Sequence, residues 1–175
     1  MKYTTQKKFN KSLLQGSKGE QIIGGQLHIH WGLNDIKYNL SKTISILKGW
    51  DIKGKINAKS YYFEVKTDLF EYYKKRKTDN MFLEITCNGK ASGIEATKSD
   101  YFIYYYPEHE VAYIMYVKTL KNWLETNWKT HMSSGGDSNV SFGYLISRFD
   151  IERSRLFDKI EHIPQQLFFN TIKNP

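Results

Sequence analysis

The chain has 175 residues, the size of one domain and enough to bury a core, with 26 Lys+Arg against 18 Asp+Glu for a net charge of +8. That balance favours a polyanionic partner, nucleic acid before an anionic membrane surface, because no run of about 18 apolar residues occurs. Met1-Lys2-Tyr3-Thr4-Thr5-Gln6-Lys7-Lys8 lacks the apolar segment of a signal peptide, and Cys87 alone excludes an intramolecular disulfide and makes a structural zinc site unexpected. The expectation is a single soluble, cytoplasmic domain, 1–175, with Cys87 as a small buried hydrophobe.

Residues 1–16 are basic and weakly patterned. Ser17-Lys18-Gly19-Glu20 then has the form of a capping box, in which a hydroxyl and a glutamate three residues apart satisfy orphan amides, and predicts a helix opening there. Gly24 and Gly25 weaken that helix, since each glycine costs about 1 kcal/mol relative to alanine, and predict close packing against another backbone or an early break. His28 and His30 stand two apart, as on one strand, with no third ligand apparent. Strands are predicted at Thr43 to Leu47, at Trp50-Asp51 and, after a polar turn at Asn57 to Ser60, at Tyr61 to Thr67, as an antiparallel meander.

The basic connection Lys74-Lys75-Arg76-Lys77-Thr78-Asp79-Asn80 leads into a third strand, Met81 to Cys87, closed by an Asn88-Gly89 turn. Tyr101 to Tyr106 and Val111 to Lys118 read as two strands around a tight loop, with a core face and a tyrosine-lined outer face. Thr119 to His131 has helical spacing, and Trp123 and Trp128, five apart, need not share its face. Ser133 to Asp137 reads as a loop; it lacks the Gly-Lys-Ser/Thr ending of a phosphate loop. Val140 to Phe149 is the last strand expected. The abundance of Lys, Asn, Ile and Tyr fits an AT-rich genome, such as that of a phage.

Chemistry concentrates between Trp50 and Asp68. Successive strand residues point to opposite faces, so Glu64 and Lys66 project together while Phe63 and Val65 turn toward a core. If Asp51 comes off the neighbouring antiparallel strand at the same level, two carboxylates and an ammonium share one patch. Mg²⁺ is typically held by one or two carboxylates with substrate phosphate and water.

The order Lys18-Gly19-Glu20, Trp50-Asp51, Phe63-Glu64-Val65-Lys66, Phe82-Leu83-Glu84-Ile85 and Gly89-Lys90-Ala91-Ser92-Gly93-Ile94 resembles the PD-(D/E)XK nuclease superfamily in its phage and restriction-endonuclease-like branch. Trp50 stands where the proline of the family's name would be. The resemblance covers roughly residues 17–106. It implies an α/β fold, a mixed sheet of αβββαβ type flanked by helices, and Mg²⁺-dependent hydrolysis of phosphodiester bonds, with Mn²⁺ able to substitute. Asp51 and Glu64 would hold the metal, and Lys66 would orient the attacking water or steady developing negative charge. Glu20 is either a helix cap or a further ligand, and Glu84 either a peripheral ligand or a surface glutamate. Lys74, Lys75, Arg76 and Lys77 are a solvated turn or contacts to a DNA backbone. Lys53, Lys55 and Lys59 are the next candidates for that role. A homodimer that cuts both strands is an open alternative. So is a non-cleaving nucleic-acid-binding or regulatory module on the same fold.

Overall fold

A computed structural model describes residues 2–39, 49–69, 78–128, 132–135 and 140–169, without the side chains of 2–13 and 169. The basic run Lys74, Lys75, Arg76 and Lys77 and the strand expected at Thr43 to Leu47 lie outside these residues.

One helix, α1 (Lys2–Trp31), takes up the whole N-terminal segment. Ser17 to Glu20 therefore lie in mid-helix, where preceding carbonyls already serve the amides, and the expected capping box does not form. Ile23 and Leu27, four apart, are fully buried toward the sheet. Gly19 and Gly24 permit that approach: a Cβ on Gly19 would collide with the Thr67 side chain, and one on Gly24 with the Tyr38 ring and hydroxyl. The two histidines fall in the last turn of this helix rather than on a strand, and the His28 ring Nδ1 lies 2.8 Å from the carbonyl of Leu33.

Strands β1 (Asn34–Tyr38), β2 (Ile52–Ile56) and β3 (Lys59–Thr67) form an antiparallel meander, but its first strand is one the sequence patterns did not mark, and Trp50-Asp51 stand just before β2 rather than in a strand. The turn between β2 and β3 places Asn57 and Ala58 both at positive φ, as a two-residue hairpin in a right-twisted sheet requires. The strand expected at Met81 to Cys87 is present. It is β4 (Asn80–Cys87), which with the short β5 (Lys90–Ala91) enters a second sheet, and Cys87 at its end is half-buried rather than buried. The chain then passes through a one-turn helix, α2 (Gly93–Ala96), into β6 (Tyr101–Tyr106), which lies parallel to β3. With β4 and β5 set aside in the second sheet, the remaining order α1, β1, β2, β3, α2, β6 reads αβββαβ.

A 3-10 turn, Pro107–His109, joins β6 to β7 (Val111–Tyr116), and α3 (Val117–Asn127) follows. The loop expected from Ser133 opens inside a strand, β8 (Met132–Gly135), which pairs with β9 (Ser141–Ser147). The chain does not end on that strand: α4 (Arg148–Ser154), β10 (Phe157–Ile160) and α5 (Gln165–Phe169) follow. The sheets run β1-β2-β3-β6-β7-β10 and β5-β4-β9-β8.

The fold is thus α/β, with a mixed sheet flanked by helices. On one face of the six-stranded sheet, Ile23, Leu27 and Phe168 cover Ile52, Phe63, Ile103 and Tyr105. On the other, Met81, Leu83 and Ile146 of the second sheet, with Leu120 and Leu124 of α3, cover Phe102, Tyr104, Tyr106 and Tyr113. Strand β6 is consequently buried on both faces, and the tyrosine-lined outer face expected there does not exist; Tyr104 and Tyr105 are wholly inaccessible. Tyr104 also links the sheets, donating to Asp68 while its oxygen accepts from the amide of Phe82. Trp123 and Trp128 do meet, with ring centroids 5.9 Å apart, because the helix ends at Asn127 and Trp128 folds back. Among the described residues no helix is long and apolar enough to cross a membrane.

Candidate functional site

The hairpin register Ile52↔Phe63, Lys53↔Tyr62 fixes which side chains share a face. Phe63 turns to the α1 side, while Glu64 and Lys66 lie beside Phe102 and Tyr104 of β6 on the opposite face. The pairing slips at the end of β2. Ile52 stands opposite Phe63, yet the Asp51 amide also donates to the Phe63 carbonyl, at 2.9 Å. Asp51 is 8% exposed, and its Oδ2 accepts from the backbone N–H of Val65 at 2.8 Å, serving an amide that β2 stops short of pairing. Asp51 and Glu64 thereby come to the same end of the hairpin.

Glu20 joins them from α1. Its Oε2 is buried and has no hydrogen-bond partner, an unusual state for a carboxylate oxygen. Burial, then the negative charge of Asp51, push its pKa up to about 8. Burial likewise raises Asp51, against the pull of the Val65 amide. Glu64 is raised by burial first and by the Asp51 charge second; the Thr97 hydroxyl and the Lys66 ammonium oppose the rise, and Glu20 adds to it. The Asp51 charge thus acts on both glutamates, and Lys66, exposed at the rim, is the cation that acts on Glu64.

Thr97, which the sequence patterns did not single out, is the hub of the surrounding bonds. Its hydroxyl lies 3.3 Å from Glu64 Oε2 and 3.2 Å from the Gly49 carbonyl, and its oxygen accepts from the Ser99 amide. The Ser99 hydroxyl and Lys98 amide also donate to Gly49, so the segment leading into β6 clamps the chain two residues before Asp51. The signal was present as hydroxyls bracketing Lys98 just before an aromatic strand, where Thr and Ser commonly bond nearby backbone.

Glu84 lies apart. It is on the second sheet, where its carboxylate accepts from the Ser92 hydroxyl. Among the described residues no group of three His, Cys, Asp or Glu side chains is gathered closely enough to hold a metal ion as it stands. The donor chemistry nevertheless fits a hard divalent cation, for two reasons: the oxygens are carboxylate oxygens, and one of them, on Glu20, is buried without a partner.

The raised carboxylates make a stability prediction. A folded pKa near 8 for Glu20 against its usual 4.5 means the folded chain holds that proton longer than the unfolded one. Its contribution is fully present below 4.5 and is lost as pH rises through about 8. Without divalent cation, the melting temperature of the parent should fall between about pH 4.5 and pH 8, and Glu20→Gln should flatten that fall. Parallel pH profiles for the two would contradict the burial of a charged Glu20.

No protein-family model matches the chain, and no curated protein matches it. Among solved structures, that of a bacterial homing endonuclease, I-Ssp6803I, is similar at a TM-score of 0.44 and 16% identity, over 61% of this chain and 69% of that one.

Proposed function

We propose that the chain is a Mg²⁺-dependent nuclease that hydrolyses phosphodiester bonds of DNA, acting as an endonuclease, with Asp51 and Glu64 as metal ligands, Glu20 as a third and Lys66 as the catalytic cation. One observation carries the reading: three buried acids from separate segments, α1, the residue before β2, and β3, lie close enough that the Asp51 charge acts on both Glu20 and Glu64, with Lys66 beside Glu64. Burying like charges together destabilises a fold unless a cation or a proton offsets them, so such sets are candidates for function rather than for structure.

Bound there, Mg²⁺ or Mn²⁺ supplies Lewis-acid polarisation of a phosphoryl oxygen. The residues do the rest. The Asp51 carboxylate is held by the Val65 amide, so it presents its remaining lone pairs without rotating away. Glu64 is steadied by Thr97, and Lys66, on the same strand face, offers an ammonium to negative charge that develops on the phosphate. The Gly49 clamp fixes the height of the loop that carries Asp51.

The absence of a ready-made ligand cluster among the described residues favours a second reading, a nucleic-acid-binding module that does not cut. Incubation of the purified protein with circular and linear DNA, in Mg²⁺ or in EDTA, separates the two. Nicking of circles in Mg²⁺ alone is the expected result. DNA that is bound but intact in both conditions would establish the binding module, and full cleavage in EDTA would remove the metal from the account.

A further inference from the structure

The second sheet covers only part of the six-stranded one. It packs on β6 and β7, and the same face of β1, β2 and β3 carries Lys37, Lys53, Lys55 and Tyr62 in register before it reaches Glu64 and Lys66. Lys37 stands directly opposite Lys53 across the β1–β2 pair. Like charges in that position repel. Asp35 offsets this only in part: it ion-pairs with Lys55 at 2.8 Å and its charge also reaches Lys37, but among the described residues neither Lys37 nor Lys53 makes an ion pair. An open groove of about 410 Å³ lies there, lined by Asp35, Lys37, Lys53, Gly54, Lys55 and Ser60.

The lysine nearer the site is also preorganised. The Lys53 ammonium sits 5.0 Å from the centre of the Tyr62 ring, and the Trp50 ring packs against the same tyrosine at 5.8 Å. Glu64 lies two residues beyond Tyr62 along β3, about 6.8 Å at the usual strand rise. Lys59, by contrast, pairs with Ile56 and lies over Tyr61, out of this row.

We propose that this face is the docking surface for the sugar-phosphate backbone of duplex DNA, with Lys37 and Lys53 as the phosphate-binding groups that lead the strand to Asp51 and Glu64. The inference rests on the nuclease reading for its direction, and on charge complementarity for its occupant. Two lysines opposed in register, neither in a salt bridge among the described residues, leave positive charge on this face that an anion would offset, and a chain of net charge +8 meets a polyanion favourably. Duplex is favoured over single strand because the tyrosine of this row, Tyr62, already carries the Lys53 ammonium and packs against the tilted Trp50 ring, so the row presents ammonium groups to phosphates rather than a ring set aside for stacking.

The test is the salt dependence of binding to a duplex of about 20 base pairs, without divalent metal, between roughly 50 and 200 mM salt. Lys37→Gln combined with Lys53→Gln should weaken binding and reduce the slope of log K against log salt by about 0.9 for each phosphate no longer neutralised, roughly 1.8 together. Lys90→Gln with Lys118→Gln, exposed on β5 and α3, should leave the slope unchanged. An unchanged slope in the Lys37/Lys53 variant overturns the surface, even if the parent cleaves DNA. Tighter binding to a single strand, an acidic peptide or anionic vesicles than to duplex overturns the occupant. A slope that falls as expected in a protein that never cleaves supports the surface and removes the nuclease reading instead.

Discussion

Glu64→Gln is expected to lose Mg²⁺-dependent cleavage by roughly 10²- to 10⁴-fold, the scale of several kcal/mol of transition-state stabilisation, while melting at a higher temperature than the parent above pH 7. The two effects have one cause. Glutamine keeps the shape and can still meet the Thr97 hydroxyl, but it carries no charge for Asp51 and Glu20 to repel and none for a cation to bind. A catalytic carboxylate held in a site of like charge is a stability cost, and removing it should relax the fold as it removes activity. Initial rates on plasmid DNA and thermal melts at pH 8 check both halves. A rate within a few-fold of the parent would remove Glu64 from the mechanism.

The residue before it should behave in the opposite sense. Phe63 is wholly inaccessible, packed with Ile23 and Leu27 of α1, stacked at 5.5 Å on Tyr101 and edge-on to Trp31 at 6.3 Å. Truncating a buried phenylalanine costs about 3–5 kcal/mol through forfeited transfer energy and an unfilled cavity. Against a total stability of about 5–15 kcal/mol, Phe63→Ala should move the urea midpoint markedly downward. A loss below about 1 kcal/mol would mean that α1 does not pack on this face as described.

That contrast between adjacent residues was legible in the sequence, because period-two alternation is a local property of a strand. Glu64 and Lys66 on one face and Phe63 on the other follow from it; turn residues likewise marked the Asn88-Gly89 turn and a polar turn at Asn57 to Ser60, which is shorter than expected because Lys59 and Ser60 already belong to β3. The αβββαβ order came from the resemblance. What failed was information that is not local. Ser17 to Glu20 satisfies the capping pattern, but whether a helix begins there depends on the residues before it, and these are helical despite their weak patterning. Met81 to Cys87 has the composition of a strand, yet composition does not say which sheet it joins. The Tyr101 to Tyr106 run looked two-sided because tyrosine tolerates either environment; burial on both faces came from a second sheet assembled out of distant segments.

The site divided in the same way. Asp51, Glu64 and Lys66 come together through one hairpin, a local arrangement. Glu20 stood open between a helix cap and a further ligand until the helix proved to run through it, and Thr97 was hidden by its distance in sequence from Glu64. Glu84 shares their chemistry but sits on the other sheet.

The central claim, that Glu20, Asp51 and Glu64 together bind a divalent cation, is tested most directly by calorimetric titration of the purified protein with Mn²⁺ at pH 7, repeated in two buffers of different ionisation enthalpy. Carboxylates held partly protonated by burial and by one another must shed protons to take up a metal. The account predicts saturable binding accompanied by proton release, weakened in Glu20→Gln and abolished in Asp51→Asn. Mn²⁺ binding of undiminished affinity in Asp51→Asn, with no protons released in either protein, would contradict it.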